Sequence, residues 1–311
     1  MRILERLWAQ PLLLLPLPPL FWAGNLVLGR ALAGSFPPVS LAVGRWVVAL
    51  ACLLPFVLGT IGAQWQALIR TRALIFACGA FGIAGYNALG YLALQSAPAA
   101  SVAFLNSTLP LMVPLAAFLL GVERVSARTL AGIAISFVGV AWIVARGEPS
   151  TLSGLSLAGG EPLVLIAVAN YAVYSVLLRR RPDDLDPLVF LAATMAAGLL
   201  VLLPFWVWEL VRGATIPTSP GPLAAVLYIG VFASLAAFII WNRCVAALGP
   251  SVTGASFHLV ALFTAALAFL LLGESVQPFH LVGATLILTG FGLAAAGGGR
   301  PALKPSGEAR P

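Results

Sequence analysis

The residues of this chain that can do chemistry are few, because they are set into long apolar runs. Trp22 and Asn25 lie in one run, Tyr86, Asn87 and Tyr91 in a second, and Ser101 and Asn106 in a third. Further along, Tyr171 and Tyr174, then Phe238, Trp241 and Asn242, then Ser256 and His258 occupy three more. Amides, hydroxyls and aromatic rings recognise a small solute through hydrogen bonds and flat apolar faces, but they are not by themselves a catalytic set. An intramembrane enzyme needs paired groups in reach, such as two carboxylates or a Ser with a His. Ser256 and His258 are only two residues apart and so face different sides of a helix. Glu123, Glu161, Glu209 and Glu274 all sit at the ends of apolar runs, and no Asp or Glu lies in the middle of one. Cys52, Cys78 and Cys244 lie singly inside such runs and read as small core residues, with no metal-ligand spacing. No catalytic residue, metal or cofactor is therefore expected. Arg45 is the one charge well inside a run. It stands about six residues, or about 9 Å at 1.5 Å per residue, from the end of that run. Its side chain either snorkels to that end or meets a negative group of a ligand or a gate.

The elements that must hold these residues follow from composition. Of 311 residues, 61% are hydrophobic and 9% charged, with mean hydropathy +1.03. A soluble domain carries about 25% charged residues, so lipid is the solvent here. The 17 basic residues give a net charge of +7, but they are scattered. A nucleic-acid binder would cluster them on one face, and no nucleic-acid partner is expected. Turn clusters and charges divide the chain into ten spans, at 11–33, 39–60, 73–95, 99–120, 128–146, 161–179, 187–209, 223–246, 252–272 and 279–297. Ala31-Leu32-Ala33 resembles a signal-peptidase site, but the run before it is long and aligns with a later span, so it reads as a retained first helix. With the N-terminus inside, thirteen Lys and Arg fall on the inner side and three on the outer. The positive-inside rule then places both termini in the cytoplasm.

Compared with itself, the chain repeats. Leu54-Pro55-Phe56 recurs as Leu203-Pro204-Phe205; Trp22 falls on Tyr171 and Arg30 on Arg179 at the same offset. Pro98 falls on Pro250, Glu123 on Glu274, Gly132 on Gly283 and Gly139 on Gly290. Residues 1–148 form a first five-helix unit, 149–160 a linking loop, and 161–297 a second unit; 298–311 read as a disordered cytoplasmic tail. Five is odd, so the second unit enters the membrane inverted. Inverted repeats are typical of secondary transporters, with the substrate at the repeat interface. The repeat pairs Asn25 with Tyr174, Asn106 with His258, Tyr86 with Phe238, and Arg45 with Thr194. Matching positions on spans 1, 3, 4, 6, 8 and 9 then face one cavity. Trp22, Tyr91 and Tyr171 have a competing reading as interfacial anchors, and the Asn residues as helix-to-helix links. His258 reads either as a satisfied core histidine or as a proton-linked group. Gly132 and Gly139, and Gly283 and Gly290, make smooth stripes that predict close packing of spans 5 and 10, with a homodimer face as an extension. Pro110 and Pro114 predict a kink in span 4.

The stretches Phe21-Trp22-Ala23-Gly24-Asn25, Ala97-Pro98-Ala99-Ala100-Ser101 and Leu119-Leu120-Gly121-Val122-Glu123 resemble the EamA branch of the drug/metabolite transporter superfamily. The second copy runs from Leu248-Gly249-Pro250-Ser251 to Leu272-Gly273-Glu274, and the resemblance spans about residues 12–296. Within that branch the pattern is similar to YddG-like amino-acid exporters. The resemblance implies an all-α, ten-helix transporter of a bacterial inner membrane that exports small metabolites. The absence of mid-span carboxylates favours neutral or aromatic amino acids carried by alternating access without ion coupling. A proton-coupled multidrug or cation efflux carrier is the alternative. A non-transporting scaffold and an intramembrane enzyme are alternatives of another class.

Overall fold

The computed structural model describes residues 8, 10–97, 99–154, 159–272, 277–297 and 300–301. Among these, nine helices are long and apolar enough to cross a membrane: α1 (Pro11–Leu32), α2 (Pro38–Ile61), α3 (Arg72–Ser96), α5 (Ala127–Val144), α6 (Glu161–Arg180), α7 (Pro187–Val211), α8 (Pro220–Leu248), α9 (Pro250–Leu267) and α10 (Pro278–Gly297). The remaining expected span, α4, is interrupted, with helical parts Ala99–Asn106 and Leu109–Leu119. Large apolar side chains such as Phe56, Phe118, Leu119, Phe205, Val211, Leu270 and Leu281 point outward from the bundle. That surface is tolerable only in lipid.

Local sequence sets most boundaries. Proline stands in the first turn of α2, α7, α8 and α9, where its missing N–H costs nothing. Gly34, Gly121, Gly147, Gly213 and Gly249 follow helix ends with φ between 65° and 87°, the left-handed conformation that a helix terminus needs. Carboxylates cap several helix starts. Asp186 accepts from the N–H groups of Leu188 and Val189 in its own helix α7. Glu209, at the far end of α7, caps its neighbour α2, accepting from Val39 N at 2.9 Å and Ser40 N at 2.7 Å. A carboxylate at an N-terminus is favoured by the helix dipole.

The two halves share irregularities that sequence patterning did not reveal. A π-helical segment interrupts α3 at Gly79–Gly85 and α8 at Ile229–Ala236. The fourth helix of each half also breaks, at Ser107–Thr108 in α4 and at the 3-10 turn Ser256–His258 in α9. The expected kink in span 4 thus becomes a full interruption. Its cause is Pro110, which lacks the N–H that the Asn106 carbonyl would accept. Ser107 and Thr108 turn their hydroxyls back onto the carbonyls of Phe104 and Leu105 at 2.5 and 2.6 Å, a substitute for helical bonding.

The glycine stripes meet as expected. A Cβ on Gly132 would lie 2.5 Å from the Gly290 carbonyl, and one on Gly139 would lie 2.8 Å from that of Gly283. Ser136 Oγ donates to the Ile287 carbonyl across the same seam at 3.1 Å. Both stripes are spent on joining α5 to α10 within one chain, so a dimer through these helices would use their other faces. Of the tail, only Arg300 and Pro301 are described; they pair antiparallel with Glu123 and Arg124.

Candidate substrate site

Arg45 organises the centre of the bundle. Two turns into α2, its side chain does not snorkel to the membrane surface: it is 2% exposed and turned into the protein. Nε donates to Ser234 Oγ at 2.7 Å and Nη2 to the Ala233 carbonyl at 3.0 Å, both in the π segment of α8. Nη1 donates to Asn87 Oδ1 at 2.7 Å and to the Tyr91 hydroxyl at 2.9 Å, both in α3. Asn87 is oriented by its own donation to the Gly82 and Ile83 carbonyls in the π segment of α3. Ala233 also accepts from Trp22 Nε1 of α1 at 2.9 Å. The two π segments therefore supply the oxygens, or hold the side chains, that gather around one guanidinium. Such bulges are frequent at functional sites.

Two adjoining small hollows, of about 30 and about 40 Å³, lie beside this cluster. Asn25, Leu26, Arg45, Tyr86, Asn87 and Asn106 line both. Trp22, Phe238, Phe257 and Val260 complete the first, and Gly90, Tyr91, Leu94 and Val102 the second. Below the first lies a packed aromatic layer. Trp22 meets Tyr171 edge-on with centroids 5.8 Å apart and Trp241 at 5.1 Å, while Tyr171 meets Tyr86 at 4.6 Å. Trp22, Tyr91 and Tyr171 are buried within the bundle, which removes their reading as interfacial anchors.

Of the sequence candidates, Trp22, Asn25, Tyr86, Asn87, Tyr91, Asn106 and Phe238 come together around the hollows, and Arg45 joins them. Tyr171, Tyr174 and Trp241 are fully buried in the aromatic layer and its surroundings. Asn242 accepts from Tyr174 and lines a separate hollow with Arg179, Arg181 and Arg243. Ser256 bonds to the Thr253 carbonyl and lines neither central hollow. His258 likewise stands outside them: its Nε2 lies 3.0 Å from the Ser107 carbonyl, at the break in α4, and its ring packs near Phe137. The side chain of Ser101 lies outside the described residues. Ser234, Phe257 and Val260 were missed, because a lone Ser or apolar residue carries no mark in an apolar run.

Each half carries one tyrosine-to-asparagine bond. Tyr91 donates its hydroxyl proton to Asn25 Oδ1 at 2.7 Å, linking α3 to α1. Tyr174 donates to Asn242 Oδ1 at 2.8 Å, linking α6 to α8.

On one face of the bundle the halves are tied together beyond the aromatic layer. Arg70 pairs with Asp184 at 2.5 Å, Asp186 N donates to Gln64 Oε1 at 2.8 Å, and Arg180 donates to the Leu120 carbonyl at 3.2 Å. Glu123, in the loop after α4, caps α9 by accepting from Ser251 N at 3.2 Å and Ser251 Oγ at 3.1 Å. Burial pushes the Glu123 carboxyl above its usual value, with the Ser251 bonds and the nearby Arg179 pulling the other way.

Comparison with known proteins places the chain. The profile of the EamA-like transporter family matches residues 10–145 and 158–296, one match in each half. A Bacillus subtilis (strain 168) protein named Uncharacterized transporter YyaM is 27% identical over 273 residues, covering 87% of this chain and 88% of the relative. A protein of Streptantibioticus cattleyicolor, named Probable terminal-alkyne amino-acid exporter, is 28% identical over 292 residues, covering 93% of each. A solved crystal structure superposes with a TM-score of 0.70 at 19% identity, over 90% of this chain and 95% of the other, and shares the fold. With a multi-pass apolar bundle and a family match in both halves, the chain belongs to the EamA-like transporter family.

Proposed function

We propose that the chain exports small amphipathic metabolites, foremost neutral and aromatic amino acids, across a bacterial inner membrane. The observation that carries this reading is the pair of hollows beside Arg45, the first of which reaches the second half at Phe238, Phe257 and Val260, with amide, hydroxyl and guanidinium groups at one pole and aromatic rings at the other. A zwitterion with an apolar side chain matches both poles. The named amino-acid exporter among the relatives supports the same class. No Asp or Glu lines either hollow, which favours transport down a substrate gradient over ion coupling. The inverted repeat supports alternating access. The Asn25–Tyr91 and Tyr174–Asn242 bonds, one within each half, are suited to closing opposite sides in turn.

The test is counterflow in proteoliposomes. Labelled L-phenylalanine should accumulate against trapped unlabelled L-phenylalanine with no imposed ion gradient, and a protonophore should leave the rate unchanged. Collapse of counterflow by the protonophore would remove the uncoupled mechanism. Absence of exchange for every neutral amino acid tried would remove the substrate class.

A further inference from the structure

Arg45 is a buried cation without an anion. A guanidinium has five N–H donors, and four are engaged here, all by neutral oxygens: Ser234 Oγ, Asn87 Oδ1, Tyr91 OH and the Ala233 carbonyl. Among the described residues the one ion pair is Arg70–Asp184, which is exposed and remote in sequence from this site. Neutral dipoles satisfy the donors but leave the charge uncompensated, and a charge in a water-poor interior calls for a counter-charge. Arg45 lines both hollows, so a counter-charge can arrive from them.

The surroundings restrict what carries that charge. Asn106 lines both hollows, and its side chain makes no hydrogen bond to a described residue. Its amide is free to accept from or donate to a ligand. The opposite wall is Trp22, Phe238, Phe257 and Val260, with nothing ionisable. The repeat offers no second cation: the position matching Arg45 is Thr194, whose hydroxyl is spent on the Phe190 carbonyl. The site thus has one positive pole and one apolar pole.

We propose that Arg45 anchors a carboxylate of the cargo, whose apolar group lies against Trp22, Phe238 and Phe257. This rests on the reading above that the hollows are the substrate site, and it narrows the cargo to carboxylate-bearing amphipathic solutes. Positive charge elsewhere on the cargo is dispensable. A free carboxylate is not.

The experiment measures binding to the purified full chain in detergent for three probes of similar shape: L-phenylalanine, L-phenylalaninamide and 3-phenylpropanoate. The first two differ in the carboxylate, the first and third in the ammonium. The two carboxylates should bind with similar affinity, and the amide about 30-fold more weakly or worse, as expected when one partner of a buried charge pair is lost. Arg45→Lys should keep the order of preference at reduced affinity; Arg45→Gln should erase the preference. The wild-type comparison needs no variant, so a misfolded Arg45→Gln does not spoil the test. Equal binding of amide and acid would overturn the anchor, even if amino-acid exchange is observed. Binding of 3-phenylpropanoate without L-phenylalanine would uphold the anchor and overturn the amino-acid reading. Binding of none of the carboxylates would overturn the anchor outright.

Discussion

The seam between α5 and α10 permits a quantitative prediction with an internal control. Gly290 and Gly292 are two residues apart in α10. A Cβ at Gly290 would lie 2.4 Å from Ser136 Oγ and 2.5 Å from both the Gly132 carbonyl and Ser136 N, whereas one at Gly292 would meet nothing within 4 Å. Ordinary heavy-atom contacts sit at about 3.5 Å, so Gly290→Ala must part the helices by about 1 Å. Two of the three obstructing atoms are backbone, which no rotamer change can move aside. Both variants gain the same helix propensity, about 1 kcal/mol for Gly to Ala, so their difference isolates the clash. Overpacking of this kind costs about 1–3 kcal/mol, or about 5- to 140-fold in the unfolding equilibrium. The assay is unfolding by SDS titration in mixed micelles, followed by tryptophan fluorescence. Gly292→Ala should match or slightly exceed the wild type, and Gly290→Ala should unfold at clearly lower SDS. Coincident curves for the two variants would refute the claim that backbone contact at this seam holds the halves together.

Three further predictions concern polar groups. The Glu123 carboxyl, pushed up by burial in the folded protein, gives stability that is full below its unfolded value and is lost as pH rises through the folded one. Glu123→Gln keeps an acceptor for Ser251 without the charge, and should flatten that pH dependence. Glu123→Ala also removes the cap on α9 and should cost about 0.5–2 kcal/mol relative to Gln; identical unfolding of the Gln and Ala variants between pH 4 and 8 would count against the cap. At the centre, Tyr86→Ala should weaken L-phenylalanine binding, because Tyr86 lines both hollows. His258→Ala should instead leave affinity near wild type while lowering stability by about 1–3 kcal/mol, since it strips the Ser107 carbonyl of its partner. A loss of affinity with unchanged stability in His258→Ala would reverse this assignment.

Sequence alone determined the class of fold, because its cause is local. Long apolar runs bounded by prolines and glycines specify spanning helices, and a period of about 150 residues specifies two related halves. It also determined which residues were worth suspecting, since an Asn, Tyr or Arg stands out in an apolar run; seven of the fourteen suspects line the central hollows. Tertiary structure decided the direction in which each suspect points. Trp22 and Tyr171 had two readings on sequence, anchor or interior, and only the packing of α1 against α8 and α9 placed them inside. His258 and Asn106 align in the repeat, yet one is used on the Ser107 carbonyl at the break in α4 and the other is left free beside Arg45. The π segments have no plain sequence signature, and they bring Ser234 and the Ala233 carbonyl to the Arg45 side chain. Whether Arg45 faced lipid, water or cargo depended on oxygens from helices more than 40 and 180 residues away. A buried charge is settled by what surrounds it in space, and one-dimensional spacing carries no record of that.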